Sequence, residues 1–162
     1  MIRRVLRRLG EMPLWLVVIG AASVFTFGVY VTVVWPAFQM APITPEGRAH
    51  PYTAVENTGR LIYFREGCWY CHTQQVRPVA ADRALGPPAL PGDYYYDVPQ
   101  PMGTERTGPD LFHVGSRIPS YIWLKDHLVN PQKEVPGSVM PSYSYLSVGD
   151  QDALVRYLLS LR

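Results

Sequence analysis

The chain has 162 residues, of which 48% are hydrophobic and 17% are charged, and its formal net charge is +2. The positive excess lies before residue 36, where four arginines face one glutamate, whereas the remainder carries 11 basic and 12 acidic residues. This balance excludes a nucleic-acid-binding surface for the larger part of the chain. The length has room for one membrane anchor and one small domain of about a hundred residues.

An uncharged, apolar segment runs from Leu14 to Trp35. As a helix with a rise of about 1.5 Å per residue, it would span the roughly 30 Å hydrocarbon core of a bilayer. It is longer than the apolar stretch of about 7–15 residues in a cleaved signal peptide. Residues 14–35 are therefore predicted to be a transmembrane helix. Residues 1–13 are predicted to be cytoplasmic, because basic residues favour that side, and they include Arg3, Arg4, Arg7 and Arg8.

Proline recurs after the apolar segment, at positions 36, 42, 45 and 51. Residues 36–52 are therefore predicted to form an extended tether. Thr53 and Glu56 have the spacing of a capping box, which predicts that a helix begins at Thr53 and runs towards Cys68. These signals place one domain over residues 53–162.

The two cysteines of the chain lie in the sequence Cys68-Trp69-Tyr70-Cys71-His72. Cys-x-x-Cys-His is the attachment signature of c-type haem. Two thiols one turn apart can each add to a vinyl group of one haem, and the adjacent histidine reaches the iron as its proximal ligand. The motif therefore predicts one covalently bound haem c.

Other uses of the two cysteines require features that are missing from the sequence. A zinc site would add two histidines, but the chain has no second paired ligand motif; the histidines are His50, His72, His113 and His127. A thioredoxin-like redox pair would need a βαβ pattern. A disulfide across two intervening residues would constrain almost nothing.

The rest of the chain alternates loops and short helices. Residues 78–110 are rich in Pro and Gly and predict a long loop that covers something. A second helix is predicted from Pro119 to Val129, and a last helix from Val148 to Leu161, capped by Ser147. This order predicts a mostly α protein, with one N-terminal transmembrane helix and a small all-α domain like a class I cytochrome c with long loops.

The sixth ligand of the iron is expected from a loop on the haem face opposite His72. The candidates are Met40, Met102, Met140 and the remaining histidines. Met40 lies in the tether, and Met102 is interpreted as a flexible core side chain. Met140 lies between the second and last helices, where the distal loop is expected, and is favoured. A thioether ligand raises the haem potential relative to two histidines.

Longer blocks of the sequence resemble the mono-haem cytochrome c subunit, subunit II, of cbb3-type haem–copper oxidases. The resemblance extends from the membrane segment to the last helix. The blocks are residues 62–74, 76–78, 92–97, 103–111, 114–115 with Arg117, 127–128 with 130–131, and 139–143 with Leu146.

The resemblance implies roles for individual residues. Cys68 and Cys71 would hold the haem, and His72 and Met140 would ligate the iron. By similarity to small cytochromes c, the Pro109 carbonyl would accept a hydrogen bond from His72 Nδ1–H. Leu111 would pack on the porphyrin. Arg117 would neutralise a haem propionate, with Arg77 as a weaker candidate for the same role.

The resemblance also implies a function. The chain would be a non-catalytic electron-transfer subunit of the bacterial inner membrane, with a periplasmic haem domain. It would take electrons from a further cytochrome c subunit or a soluble cytochrome and pass them to the haem–copper catalytic subunit that reduces oxygen to water. Two alternatives share the anchor and the single haem: the small subunit of a nitric oxide reductase, and a membrane-tethered shuttle cytochrome without a fixed partner.

Overall fold

A computed structural model describes residues 13–39, 42–103 and 105–162. The chain divides into two compact units, of which the first ends at Pro42 and the second covers Ile43–Arg162. The described residues are mostly helical and include no strand, which confirms the prediction of a mostly α protein. The basic N-terminal segment and Met40, one of the candidate ligands, lie outside the described residues.

The first unit contains one long helix, α1 (Leu14–Gln39), which is long and apolar enough to cross a membrane. It continues four residues past its predicted end, so residues 36–39 are helical and not part of an extended tether. Proline has no N–H to donate, and its ring crowds the carbonyl four residues earlier. The turn before Pro36 therefore departs from regular α-helix, and Tyr30–Val34 forms a π-helical turn there.

The second unit contains five further α-helices among its described residues. They are α2 (Ala54–Arg65), α3 (Val114–Arg117), α4 (Tyr121–Val129), α5 (Pro131–Glu134) and α6 (Val148–Ser160). Three short 3₁₀-helices lie between them: Cys68–Tyr70, Ala80–Leu85 and Pro91–Tyr94. Helices α2, α4 and α6 are the three that the sequence predicted for this part of the chain.

Side-chain caps fix where the two longest helices of this unit begin. The Thr53 hydroxyl accepts the Glu56 N–H, and the Glu56 carboxylate accepts the Thr53 N–H at 2.8 Å. The Ser147 hydroxyl accepts the Asp150 N–H at 3.1 Å. Both predicted caps are confirmed. A cap depends only on residues three apart in sequence, so it can be read from the sequence alone.

Helix α4 begins two residues later than predicted and ends where predicted. Ser120 is its N-cap and accepts the Trp123 N–H, so Pro119 and Ser120 stay outside the helix. The helix ends before Asn130-Pro131, where the Asn130 side chain accepts the Lys133 N–H and starts the short helix α5.

Helices α2 and α6 pack against each other and form the main core. They approach most closely at Gly59, where a Cβ atom would lie 2.0 Å from the carbonyl oxygen of Ala153. Any larger residue would separate the two helices, since a packed interior has no room for it. Leu154, Val155 and Tyr157 of α6 are fully buried in this core, which also contains Cys68. The helix pair thus sets the position of the Cys-x-x-Cys-His segment.

A second, smaller core lies beneath the long loop. Its buried members are Val76, Tyr94 and Phe112, and Met102 packs partly buried against them. Met102 is therefore a core side chain, as the sequence predicted.

The segment just before α2 differs from the expected tether because it is bound to the domain. Arg48 is buried; its backbone N–H donates to Asp93 Oδ1 at 2.9 Å and its guanidinium to Asp97 at 3.2 Å. Arg60 Nε donates to the same Asp97 carboxylate at 3.0 Å, as does the Tyr52 hydroxyl at 3.0 Å. The partners of Arg48 lie 45 and 49 residues away in sequence, so proline spacing alone could not reveal them.

Replacing Asp97 tests whether the bonds between this segment and the domain stabilise the fold. Asp97→Asn leaves the buried side chains of Arg48 and Arg60 without their carboxylate. Removing one partner of a buried ion pair costs about 3–5 kcal/mol, so the free energy of unfolding in denaturant should fall by that amount.

Asp126→Asn is the matched control. The Asp126 side chain is 47% exposed, and its oxygen lies 3.6 Å from Lys133 Nζ. Exposed pairs contribute about 0–1 kcal/mol. Equal losses of unfolding free energy in Asp97→Asn and Asp126→Asn would contradict the prediction that the buried ion pairs of Asp97 stabilise the domain more than an exposed pair does.

Candidate functional site

The Cys-x-x-Cys-His segment forms a tight turn at the end of α2. Gly67 begins it with a φ of 70°, a left-handed conformation that favours glycine. The backbone N–H groups of Cys71 and His72 both donate to the Cys68 carbonyl, at 3.2 and 3.0 Å. The two thiols are therefore one turn apart and adjacent to the imidazole.

Cys68 is buried and Cys71 is exposed. Burial raises the pKa of the Cys68 thiol to about 12, so it is uncharged at neutral pH. Across residues 13–39, 42–103 and 105–162, no three His, Cys, Asp or Glu side chains are grouped so that they could hold a metal ion. Among these residues the structure therefore provides no set of ligands for the zinc site considered above.

The His72 ring is held from two sides. Its Nδ1 lies 2.7 Å from the Pro109 carbonyl oxygen, and in the tautomer with the proton on Nδ1 this atom donates and leaves Nε2 free as a ligand. Gly108 lies against the ring, where a Cβ atom would be 2.3 Å from His72 Cε1. Burial lowers the pKa of His72, so the ring is neutral at pH 7, the form that binds metals.

Residues 71–75 pair with residues 108–111 and bring His72 opposite Pro109. The Gly108 N–H donates to the Cys71 carbonyl at 2.9 Å, and the Leu111 N–H to the Thr73 carbonyl at 2.8 Å. The Thr73 hydroxyl donates to the buried Asp110 carboxylate at 2.6 Å. We call this pairing the proximal clamp.

Arg106 connects the proximal clamp to the long loop. Its guanidinium donates to Thr73 Oγ1 at 2.6 Å, to Asp82 at 2.7 Å and to Asp110 at 3.3 Å. Arg77 Nε donates to the same Asp82 at 3.1 Å. Hydrogen bonds from Arg77, the larger cause, and from Arg106 hold the pKa of Asp82 well below its usual range.

One crevice, beside the proximal clamp, brings together seven of the eight site residues named from the sequence. It consists of two adjoining cavities of about 100 and about 400 Å³. Both cavities are lined by Cys68, His72, Pro109, Trp123, His127 and Met140. Leu111 and Arg117 line only the smaller cavity, and Cys71 lines only the larger. The structure does not bring Arg77 to the crevice, because this side chain pairs with Asp82.

The crevice fits a covalently attached haem. The rest of the smaller cavity is mainly apolar and suits a porphyrin: Tyr63, Val114, Ile118, Leu124, Leu128, Leu154 and Leu158. The imidazole and the thioether are donors that haem iron accepts. The buried Nε of Arg117 has no hydrogen-bond partner within the described part of the chain, although another nitrogen of the same guanidinium donates to the Asp110 carbonyl. Arg117 therefore has a donor left for a propionate.

Met140 lies half-buried in the loop between α5 and α6. Its backbone N–H donates to the Ser138 hydroxyl at 3.2 Å. Two bonds tie the following residues to the end of α4: the Ser142 hydroxyl donates to the Val129 carbonyl at 2.6 Å, and the Tyr143 N–H to the Leu128 carbonyl at 2.8 Å. The loop thus returns beside α4 and presents Met140 to the crevice.

Trp123 and His127 also line the crevice. From the sequence, His127 was only one of the remaining histidines considered as a sixth ligand, and Trp123 was not considered. Their rings stack with centroids 4.8 Å apart and an interplanar angle of 8°. The Nδ1 atom of His127 is buried without a hydrogen-bond partner among the described residues. The available signal was their spacing of four residues on α4, which places both on one face of the helix that precedes the Met140 loop.

A family model described as "Cytochrome C oxidase, mono-heme subunit/FixO" matches residues 7–157 of the chain. The match includes α1, the Cys-x-x-Cys-His segment, the proximal clamp and Met140. A search of curated proteins found no match.

The lowered pKa of Asp82 predicts a pH-dependent contribution to stability. The native state binds fewer protons here than the unfolded chain, whose Asp pKa is about 3.9. The carboxylate therefore stabilises the fold above that pH, and the stabilisation is lost as the pH falls below it. Asp82→Asn should melt at a lower temperature than wild type at pH 7, and the difference should shrink below about pH 4. Melting temperatures measured across this range test the prediction, and a difference independent of pH would contradict it.

Proposed function

Because the chain belongs to the FixO family of mono-haem cytochrome c oxidase subunits, we propose that it is the membrane-anchored electron-transfer subunit of a cbb3-type oxidase. It accepts electrons from a further cytochrome c subunit or a soluble cytochrome. It passes them to the haem–copper catalytic subunit, which reduces oxygen to water. The observation that carries the proposal is that Cys68, Cys71, His72 and Met140 all line one cavity.

In this proposal Cys68 and Cys71 would hold one haem c by thioether bonds, and His72 and Met140 would ligate its iron. The haem supplies a one-electron couple when bound, and the protein sets its orientation and its potential. The hydrogen bond of His72 to Pro109 fixes the ring and makes the imidazole a stronger donor. The Met140 thioether favours the reduced state. Leu111 shields the porphyrin from water, and Arg117 pairs with a propionate.

The proposal includes an orientation in the membrane. Helix α1 spans the bacterial inner membrane, because it is long and apolar enough and the family is part of a membrane oxidase. The four arginines before α1 favour a cytoplasmic N-terminus. The haem domain is then periplasmic, on the side where c-type haem is attached.

Purification of the full chain in a mild detergent tests the proposed partner. We expect the chain to co-purify with a larger membrane subunit that contains haem and copper and consumes oxygen. A lone haem protein of 18.3 kDa would instead indicate a shuttle cytochrome. A partner that reduces nitric oxide and not oxygen would indicate a nitric oxide reductase. Either result would overturn the oxidase assignment.

Met140→Ala tests the proposed sixth ligand. Loss of the thioether should remove the sulfur-to-iron absorption at the red end of the spectrum and lower the midpoint potential, because the thioether stabilises the reduced iron. Both are measured on the full-length holoprotein in detergent.

Met102→Ala is the matched control, because Met102 packs in the second core and not in the crevice. It should keep both the absorption and the potential. Retention of the absorption in Met140→Ala would show that the sixth ligand is another residue.

A further inference from the structure

We propose that a cavity outside the haem crevice binds a phosphate group, carried by a small phosphate ester or by a phospholipid headgroup. The cavity has a volume of about 570 Å³ and is lined by parts of the long loop, by α3 and by four arginines. We call it the arginine cavity. The proposal goes beyond the haem chemistry proposed above, and neither the resemblance nor the family description gives this region a role.

The first observation is the charge of the lining. The described residues that line the arginine cavity include the side chains of Arg48, Arg83, Arg117 and Arg162, and one carboxylate, that of Asp93. In the described part of the chain, no carboxylate forms an ion pair with Arg83, Arg117 or Arg162. A cleft lined mainly by one sign of charge concentrates ions of the opposite sign. The cavity therefore favours an anion.

The one carboxylate of the lining is already engaged. Asp93 is 6% exposed, and its oxygens accept the backbone N–H of Arg48 at 2.9 Å and that of Leu90 at 2.7 Å. Its negative charge thus serves the backbone of the loop. Arg83 and Arg162 are exposed and Arg117 is half-buried, so these three guanidinium groups are the ones that an entering anion can meet.

The second observation is that two of the four arginines keep unused donors. The Nε atoms of Arg48 and Arg117 are buried, and neither has a hydrogen-bond partner among the described residues. A guanidinium has five N–H groups, and one nitrogen of Arg117 donates to the Asp110 carbonyl. Arg117 lines both the haem crevice and the arginine cavity, so its other donors can serve a group on each side. The Arg48 side chain is only 2% exposed and acts on the cavity through its charge.

The size and the remaining lining indicate which anion fits. Arginine pairs with phosphate through two parallel hydrogen bonds, and it is the residue most suited to that recognition. The volume lies within the range of about 300–1,000 Å³ of small-molecule sites, and it leaves more room than a bare phosphate ion needs. Leu85, Pro88 and Leu90 add apolar wall to the cavity. A phosphate with an organic portion therefore fits better than the free ion.

The walls of the arginine cavity are held in place before any ligand binds. His113 Nε2 lies 3.1 Å from the Pro87 carbonyl oxygen, which joins the loop wall to the residue before α3. Gly86 packs against the same ring, where a Cβ atom would lie 2.5 Å from His113 Cδ2. The Arg48 guanidinium carbon lies 4.3 Å from the centroid of the Phe112 ring, another lining side chain. Binding to preorganised groups has a smaller ordering cost.

Calorimetric titration of the delipidated full-length holoprotein in an uncharged detergent tests the proposal. Glycerol 3-phosphate is the probe, and chloride keeps the ionic strength constant, because salt screens exposed charges. We expect saturable binding to the wild-type protein. Arg83→Gln should raise the dissociation constant roughly ten-fold, because it removes charge-assisted hydrogen bonds, which are the stronger ones.

Arg156→Gln is the matched control. Arg156 is exposed as Arg83 is, but it lines a separate groove and not the arginine cavity. Its replacement should leave the dissociation constant of the probe unchanged. Both variants should keep the visible spectrum of the wild-type holoprotein, which shows that the domain is folded.

Nanodiscs distinguish the two sources of the phosphate group. The titration is repeated in discs of phosphatidylcholine alone and in discs that also contain phosphatidylglycerol. If the natural ligand is a lipid headgroup, phosphatidylglycerol occupies the cavity and raises the apparent dissociation constant of the probe. If the constant is the same in both discs, the ligand is a soluble phosphate ester.

Three results would overturn the proposal. They are the absence of saturable binding to the delipidated wild type, an unchanged dissociation constant in Arg83→Gln, and equal increases in Arg83→Gln and Arg156→Gln, which would indicate general surface charge. None of them concerns the proposed haem ligands, which Met140→Ala tests separately.

Discussion

The pairing of residues 71–75 with residues 108–111 is the constraint on which the crevice depends. It joins segments more than thirty residues apart, such as Thr73 and Asp110, whose separation in sequence is 37. A buried carboxylate is tolerated only when its oxygens are bonded. Asp110 meets this condition through the Thr73 hydroxyl, the backbone N–H groups of Gln75 and Phe112, and the Arg106 guanidinium. The bonds that satisfy this one side chain also hold His72 against Pro109.

The buried Arg48 connects this clamp to the segment just before α2. Arg48 is bonded to Asp93 and Asp97, and its guanidinium carbon lies 4.3 Å from the centroid of the Phe112 ring. The Phe112 backbone N–H in turn donates to Asp110 at 2.8 Å. A continuous set of contacts therefore runs from the beginning of the domain to the proximal clamp. The electrostatic cost of burying Arg48 is offset only while all of these groups stay together.

The features that the sequence predicted are those set by near neighbours in the chain. The caps at Thr53 and Ser147 and the end of α4 at Asn130-Pro131 depend on residues within one turn. The haem motif depends on five consecutive residues. The tether prediction did not include the bonds of Arg48 to the domain, because their partners lie more than forty residues away in sequence. Of the two arginines proposed for a propionate, only Arg117 lines the crevice. Arg77 pairs instead with Asp82 of the 3₁₀-helix Ala80–Leu85, a partner that no sequence motif indicated.

The two sides of the crevice are built with unequal stiffness. The proximal side is held by backbone bonds at Cys71, His72 and Gly108, by the bond from His72 to Pro109 and by the Asp110 network. The distal side is a loop in which Gly137, Val139 and Pro141 are exposed, and the Met140 N–H bonds only to the nearby Ser138 hydroxyl. Segments with few buried contacts open at lower free energy than the core. The His72 imidazole is thus fixed by several bonds of the fold. The position of the Met140 thioether depends instead on the bonds at the ends of its loop and on the side chains of the neighbouring face of α4. In the proposed haem site, small changes on that face would therefore alter the surroundings of the iron without disturbing the cysteines or His72.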